Sequence, residues 1–256
     1  MSKNLFIKKK IKKFNEVIQV DGDKSLSIRW VLLASQAIGK SKSYNLLMSE
    51  DVMAALDSIK RLGVKVKIKK NFCEIFGNGI NSFKYKENLT INAKNSGTLG
   101  RLILGLLVKS PKKIRIIGDS SLSKRDFSRI TIPLEKFGAK FYYKTKNKLP
   151  LKILGSHSIR GIKYLENKGS AQCKSSVMLA ALNASGITSI KAKKSRNHSE
   201  LLFKYLKIPI KIKKTKKYDF INVKKPKEIK AFDYQIPGDI SSSAFFIVLT
   251  LSLIHI

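Results

Sequence analysis

Four times along its 256 residues this chain repeats a polar turn bearing Ser, Thr, Lys or Arg, an apolar helix, a Gly or Pro stop and a short strand. The helices run to about three turns, an ordinary globular length. The openings are DKSLSIRWVLLASQAIG (23–39), NSGTLGRLILGLLVKSP (95–111), SAQCKSSVMLAALNASG (170–186) and GDISSSAFFIVLTL (238–251). With Ser27, Thr98, Ser175 and Ser242 as equivalent points, the spacings are 71, 77 and 67 residues. A near-constant period means one supersecondary unit stacked several times. Each helix opens on hydroxyls and free backbone N–H groups, and three of the four add a nearby Lys or Arg. That arrangement suits an anion, because a helix N-terminus offers unpaired donors and a partial positive charge.

A second helix recurs between the first ones, in SEDVMAALDSIKRLGVKVKI (49–68), RDFSRITIPLEKFGAKFYY (125–143) and RNHSELLFKYLKIPIKI (196–212). Asp51, Asp126 and Asn197 are placed to cap these helices. Apolar residues follow at spacings of three and four, as in Val52, Leu56, Ile59 and Leu62. Gly63, Gly138 and Pro209 close them, and alternating strands follow, such as Val64, Val66 and Ile68. The predicted unit is strand–helix–strand–helix–strand–strand, an α/β arrangement of about 70 residues. Three copies and the start of a fourth are expected.

The content is 43% hydrophobic and 27% charged, enough for a real core. No apolar stretch reaches the length of a membrane span, and MSKNLFIKKKIKKFN lacks the features of a signal peptide. Cys73 and Cys173 have no metal or redox spacing, and the three His (157, 198, 255) are scattered, so no metal site is expected. Buried free thiols in a cytoplasmic protein are the expectation.

The net charge of +35 invites a nucleic-acid reading. Yet 44 Lys stand against 8 Arg, and the Lys are spread along the whole chain, as in proteins encoded by A/T-rich genomes. The ten Lys of residues 207–230 alternate with apolar residues as on a solvated strand pair. The Arg are more informative: Arg29, Arg101, Arg125 and Arg196 sit in the openings or at the starts of the second helices. Arg grips carboxylates and phosphates with a rigid fork. A small, multiply charged anion is the expected ligand.

Six ordered motifs carry a resemblance that covers residues 15–250: DGDKSLSIR (21–29), NSGTLGR (95–101), GDSSLSKRDFSRITIPLEKFGA (118–139), GSAQCKSSVMLAAL (169–182), SRNHSE (195–200) and PGDISSSAFF (237–246). Together they resemble the 5-enolpyruvylshikimate-3-phosphate synthase family, the 3-phosphoshikimate 1-carboxyvinyltransferases of chorismate and aromatic amino acid biosynthesis. The Lys-Asn motif and loop cysteine of the related peptidoglycan enzymes have no match here. The resemblance implies an enolpyruvyl transferase-like fold of βαβαββ repeats, in two domains whose helices point their N-termini at a shared cleft. It implies transfer of the enolpyruvyl group of phosphoenolpyruvate to the 5-hydroxyl of shikimate 3-phosphate, with release of phosphate and no cofactor. It also implies a cytoplasmic monomer that binds neither nucleic acid nor membrane.

Carried over position by position, Lys24 is expected to touch both substrates. Ser25, Arg29, Ser170, Ala171, Gln172, Ser195 and Arg196 are expected on shikimate 3-phosphate, and Gly97, Arg125 and Gln172 on phosphoenolpyruvate. Ser25 and Ser170 have an alternative role as plain helix caps, and Gly97 as a turn residue. Arg101 is read as a structural ion-pair residue. Asp126 stands where most relatives have Pro, and a carboxylate there is expected to compete for Arg125. Gly97 carries an expectation of glyphosate sensitivity.

The resemblance also implies that residues 21–237 form an inserted domain, with 1–20 and 238–256 belonging to the other. The family's catalytic Asp, its Lys-Glu pair and further Arg residues have no counterpart in these 256 residues, so the chain alone is expected to be inactive. Residues 251–256, Leu-Ser-Leu-Ile-His-Ile, match the translation of a common sequencing adapter and are expected to be an artefact of truncation. The alternatives are a basic nucleic-acid- or anion-binding protein without catalysis, and a half-length regulatory homologue.

Overall fold

The computed structural model describes residue 11, residues 14–70 and residues 72–254. Three four-stranded sheets surround three buried helices. The first unit contains α1 (Lys24–Ala34), β1 (Ile38–Tyr44), α2 (Glu50–Arg61), β2 (Lys65–Ile68) and β3 (Phe72–Asn78). The second runs β4 (Thr90–Asn92), α3 (Gly97–Leu106), β5 (Ile114–Ile117), the short α4 (Ser120–Lys124), α5 (Ser128–Glu135), β6 (Lys140–Tyr143) and β7 (Leu151–Leu154). The third runs β8 (Lys163–Glu166), α6 (Ala171–Ala181), β9 (Ile187–Lys193), α7 (His198–Tyr205), β10 (Ile210–Lys214) and β11 (Tyr218–Lys224). Then come β12 (Asp233–Gln235) and α8 (Ile240–Ile254).

The repeat is exact at the level of topology. The sheet orders are β12-β1-β3-β2, β4-β5-β7-β6 and β8-β9-β11-β10, each with one parallel pair at its leading edge. The leading strand of the first unit is therefore β12, drawn from the far end of the chain rather than from residues before α1. Of residues 1–20, expected to belong to the other domain, 1–10, 12 and 13 lie outside the described residues, and 14–20 form no regular element. The chain's two passes meet where Gly22 bridges Gly238 and where Asp23 N–H donates to the Pro237 carbonyl at 2.8 Å.

The N-caps Asp23, Ser96 and Ser170 mark the true repeat register, 73 and 74 residues apart. Ser27, Thr98 and Ser175 are thus not equivalent positions: they sit at different depths in their helices. Each cap accepts a hydrogen bond from the backbone N–H three residues on, satisfying one orphan donor. Beyond the caps, α1, α3 and α6 are buried on nearly every side, which explains why their C-terminal halves are largely apolar. Where α3 crosses α6, a Cβ on Gly105 would lie 2.2 Å from the Ser176 carbonyl oxygen, so only Gly permits the approach.

The outer helices are capped differently from the expectation. Ser49, not Asp51, is the N-cap of α2, and Asn197 caps α7 without a side-chain bond. Asp126 precedes the α5 cap and holds Ser128 through its backbone N–H (2.8 Å) and hydroxyl (2.7 Å). At their C-terminal ends, Gly63 and Gly138 adopt positive φ, while α7 stops on Lys207 at φ 53° rather than at Pro209. The strands alternate as their periodicity predicts, with β9 and β11 burying every second residue. One continuous apolar core runs through all three units.

Candidate functional site

The N-terminal ends of α1, α3, α6 and α7 converge. A cavity of about 250 Å³ between them is lined by Ser25, Arg29, Thr98, Ser170, Ala171, Gln172, Arg196 and His198. Six of these eight are residues expected on shikimate 3-phosphate. No carboxylate lines it, while two guanidinium groups and four helix N-terminal ends do, so its potential favours an anion.

Arg29 is the organising cation. Only 4% exposed, it donates Nε–H to Ser199 Oγ (2.9 Å), Nη1 to the Ser25 carbonyl (2.9 Å) and Nη2 to Ser175 Oγ (3.1 Å). A guanidinium has five N–H donors, so this leaves donors for a ligand in the cavity. Burial pulls its pKa down to about 10, opposed by the nearby Glu200 and Asp23 carboxylates. It stays charged at neutral pH, and an anion would relieve the cost of its burial. Asp23 caps α1, so the Ser25 hydroxyl is not spent on capping. Ser170 both caps α6 and lines the cavity. The Ser195 hydroxyl is buried without a hydrogen-bond partner among the described residues and does not line the cavity.

Gln172 links this cavity to a second cluster. Its Nε2 donates to Thr98 Oγ1 (3.0 Å), and its Oε1 accepts from Arg101 Nη1 (2.6 Å). Beside it, a Cβ on Gly97 would stand 2.9 Å from Arg101 Nη1 and 3.0 Å from Arg125 Nη1. The Gly97 turn therefore lies directly under two guanidinium groups. Arg125 is exposed and donates to Asn95 Oδ1 at 3.4 Å. Asp126 is turned to Ser128, and among the described residues it forms no ion pair with Arg125. Lys24, half-exposed, sits 3.2 Å from Asp51 Oδ2, the residue expected to cap α2.

Against known proteins, the model of the family "EPSP synthase (3-phosphoshikimate 1-carboxyvinyltransferase)" matches residues 8–252. The chain belongs to the EPSP synthase family. A 3-phosphoshikimate 1-carboxyvinyltransferase of Streptococcus pyogenes serotype M4 is 38% identical over 236 residues, 91% of this chain and 54% of that protein. One from Caldicellulosiruptor bescii is 37% identical over 94% of this chain and 55% of its own length. The solved EPSP synthase from Acinetobacter baumannii superposes with a TM-score of 0.82 at 32% identity, over 90% of this chain and 52% of that one. The chain spans about half the length of the relatives it matches.

Three residues not expected from the sequence belong to these two clusters. Arg101 forms no ion pair among the described residues. It binds Gln172 and lies 5.5 Å from the Phe127 ring centre, with its pKa lowered by burial. Thr98 and His198 line the cavity. The position of Thr98 after Gly97 in NSGT was a usable signal, and so was the position of His198 inside SRNHSE, where neither of the other two His lies in a motif. Cys173 is buried near the α6 opening, and burial raises its thiol pKa, so it offers no nucleophile.

Proposed function

We propose that the protein transfers the enolpyruvyl group of phosphoenolpyruvate to the 5-hydroxyl of shikimate 3-phosphate, releasing phosphate, and that this chain supplies one wall of the cleft. The observation that carries the reading is the cavity around Arg29, six of whose eight lining residues are among those transferred from the family. In this reading Arg29, Ser25, Ser170 and the α6 N-terminus hold the shikimate phosphate, with Ala171, Ser195 and Arg196 around it. Gln172 stands between the substrates. Lys24, a point charge able to serve two anions, exchanges its Asp51 contact for them. Gly97 and Arg125 receive phosphoenolpyruvate, with Arg101 fixing Gln172. These groups place two anions side by side, which converts a bimolecular encounter into an oriented one. The proton donors and the groups that stabilise the tetrahedral intermediate belong to the other half of the cleft, so this chain alone binds without turning over.

The same reading makes residues 21–237 the inserted domain, supported by the completion of the first sheet by β12 and by the paired crossing at Gly22 and Gly238. It carries a cytoplasmic, monomeric state from the family resemblance. Among the described residues no helix is long and apolar enough to cross a membrane.

The test is a 31P NMR titration of shikimate 3-phosphate with the chain. Its resonance should broaden with the wild type and stay sharp with Lys24→Ala/Arg29→Ala. Equal behaviour of both proteins would refute the site. A second reading, a basic anion-binding protein, has one observation in its favour: Lys113, Arg115, Lys144 and Lys152 line a groove of about 530 Å³ with Tyr142. It requires tight DNA binding that falls steeply with salt. The proposed function requires DNA binding to be weak already at about 0.15 M salt, where screening is short-ranged.

A further inference from the structure

Beside the Arg29 cavity lies an almost fully buried charged pair. Lys174, on α6, is 0% exposed, and its Nζ lies 2.5 Å from Oε1 of Glu200, on α7, whose side chain is 4% exposed. The Lys174 ammonium has no other partner among the described residues, and Glu200 Oε2 has none. Each member is adjacent in sequence to a hydroxyl that holds Arg29: Lys174 to Ser175, and Glu200 to Ser199. Those hydroxyls bond each other at 2.7 Å, and Arg29 of α1 donates to both. Two neighbouring rungs, one ionic and one hydroxyl, therefore cross between α6 and α7, and Arg29 closes on the second.

A buried ion pair is a poor source of stability, because desolvating two charges offsets their attraction and an apolar pair of similar volume often serves equally well. Its distinguishing property is directional: it fixes the register of the two helices that carry it. We propose that the Lys174–Glu200 pair is a positioning device for the anion site, holding Ser175 and Ser199 in register so that Arg29 presents its remaining donors to a phosphate monoester. This rests on the phosphate-binding role proposed for Arg29. Glu200 also faces Arg29 electrostatically, opposing the loss of charge that burial imposes on it. The other charged groups around Arg29 are Asp23 of α1 and Arg196 before α7, and neither belongs to the rungs.

The experiment uses the Arg29 Nε–H as a reporter in 1H–15N NMR of the 1–256 chain, assigned by its disappearance in Arg29→Lys. In the wild type this proton, bonded to Ser199, should be slow to exchange, and shikimate 3-phosphate should shift it. In Lys174→Met/Glu200→Gln, which removes both charges and keeps the volume, the thermal midpoint should stay close to wild type. The Arg29 signal should nevertheless broaden through exchange, and ligand affinity should fall at least tenfold. Glu200→Asp, which keeps the charge but withdraws the carboxylate, should move the signal in the same direction to a smaller extent and serves if the double variant does not fold. An unchanged Arg29 signal and affinity in the folded variants would overturn the proposal and leave the pair purely structural. If the signal collapses in the variants but the ligand never shifts it in the wild type, positioning of Arg29 stands and the phosphate reading falls.

Discussion

Arg29 shows how far single residues could be read in the sequence. Its place in an apolar helix opening, among only eight Arg, marked it as an anion ligand, and the structure buries it at the cavity where four helix ends meet. The partners that hold it were not legible, because Ser175 and Ser199 lie 146 and 170 residues away in sequence. Asp126 was expected to cap α5 and to compete for Arg125, but Phe127 is the cap and Asp126 is turned to Ser128, an arrangement that depends on the Ser128 bonds. His198 gives a pH prediction. Burial, and secondarily Arg29, lowers its pKa below the ordinary 6.5. The unfolded chain therefore binds more protons just below pH 6.5, and folding stability is lost as pH falls through the lowered value. Denaturant midpoints should drop as pH falls below 6.5, and His198→Gln should flatten that drop.

At the scale of elements, helix punctuation decides stability in two places. A mid-helix Gly→Ala change ordinarily gains about 0.5–1 kcal/mol. Gly105→Ala should instead lose about 1–3 kcal/mol, because the added Cβ drives α3 into the Ser176 carbonyl of α6 and overpacks the crossing. Lys207 closes α7 in the left-handed conformation that Gly63 and Gly138 provide at the same place in their units. Lys207→Gly should raise the unfolding free energy by roughly 0.5–1 kcal/mol, the left-handed penalty less the added chain entropy. Both are checked by urea denaturation. The helices and the alternating strands were legible because α2 and β11 carry clean periodicities. The repeat register was not, because the C-terminal halves of α1, α3 and α6 are crowded with apolar residues and offer no face by which to align them; only their caps do.

At the scale of the molecule, the closure of the first sheet by β12 could not be read from order along the chain, since the predicted unit puts its leading strand directly before its first helix. The apolar helix 238–251 was legible, and α8 does present Phe245 (81% exposed) and Val248 (64% exposed) to solvent. Phe245→Asp/Val248→Asp should therefore reduce binding of a hydrophobic dye without lowering the thermal midpoint, because neither side chain contributes to the core. The central claim is that three repeats aim their helix ends at one anion and that Arg29 grips it. Calorimetric titration of shikimate 3-phosphate into the chain, beside Arg29→Ala, tests it most directly. The account predicts weak saturable binding by the wild type that falls at least tenfold in the variant; equal heats from both, or a folded wild type that binds none, would contradict it.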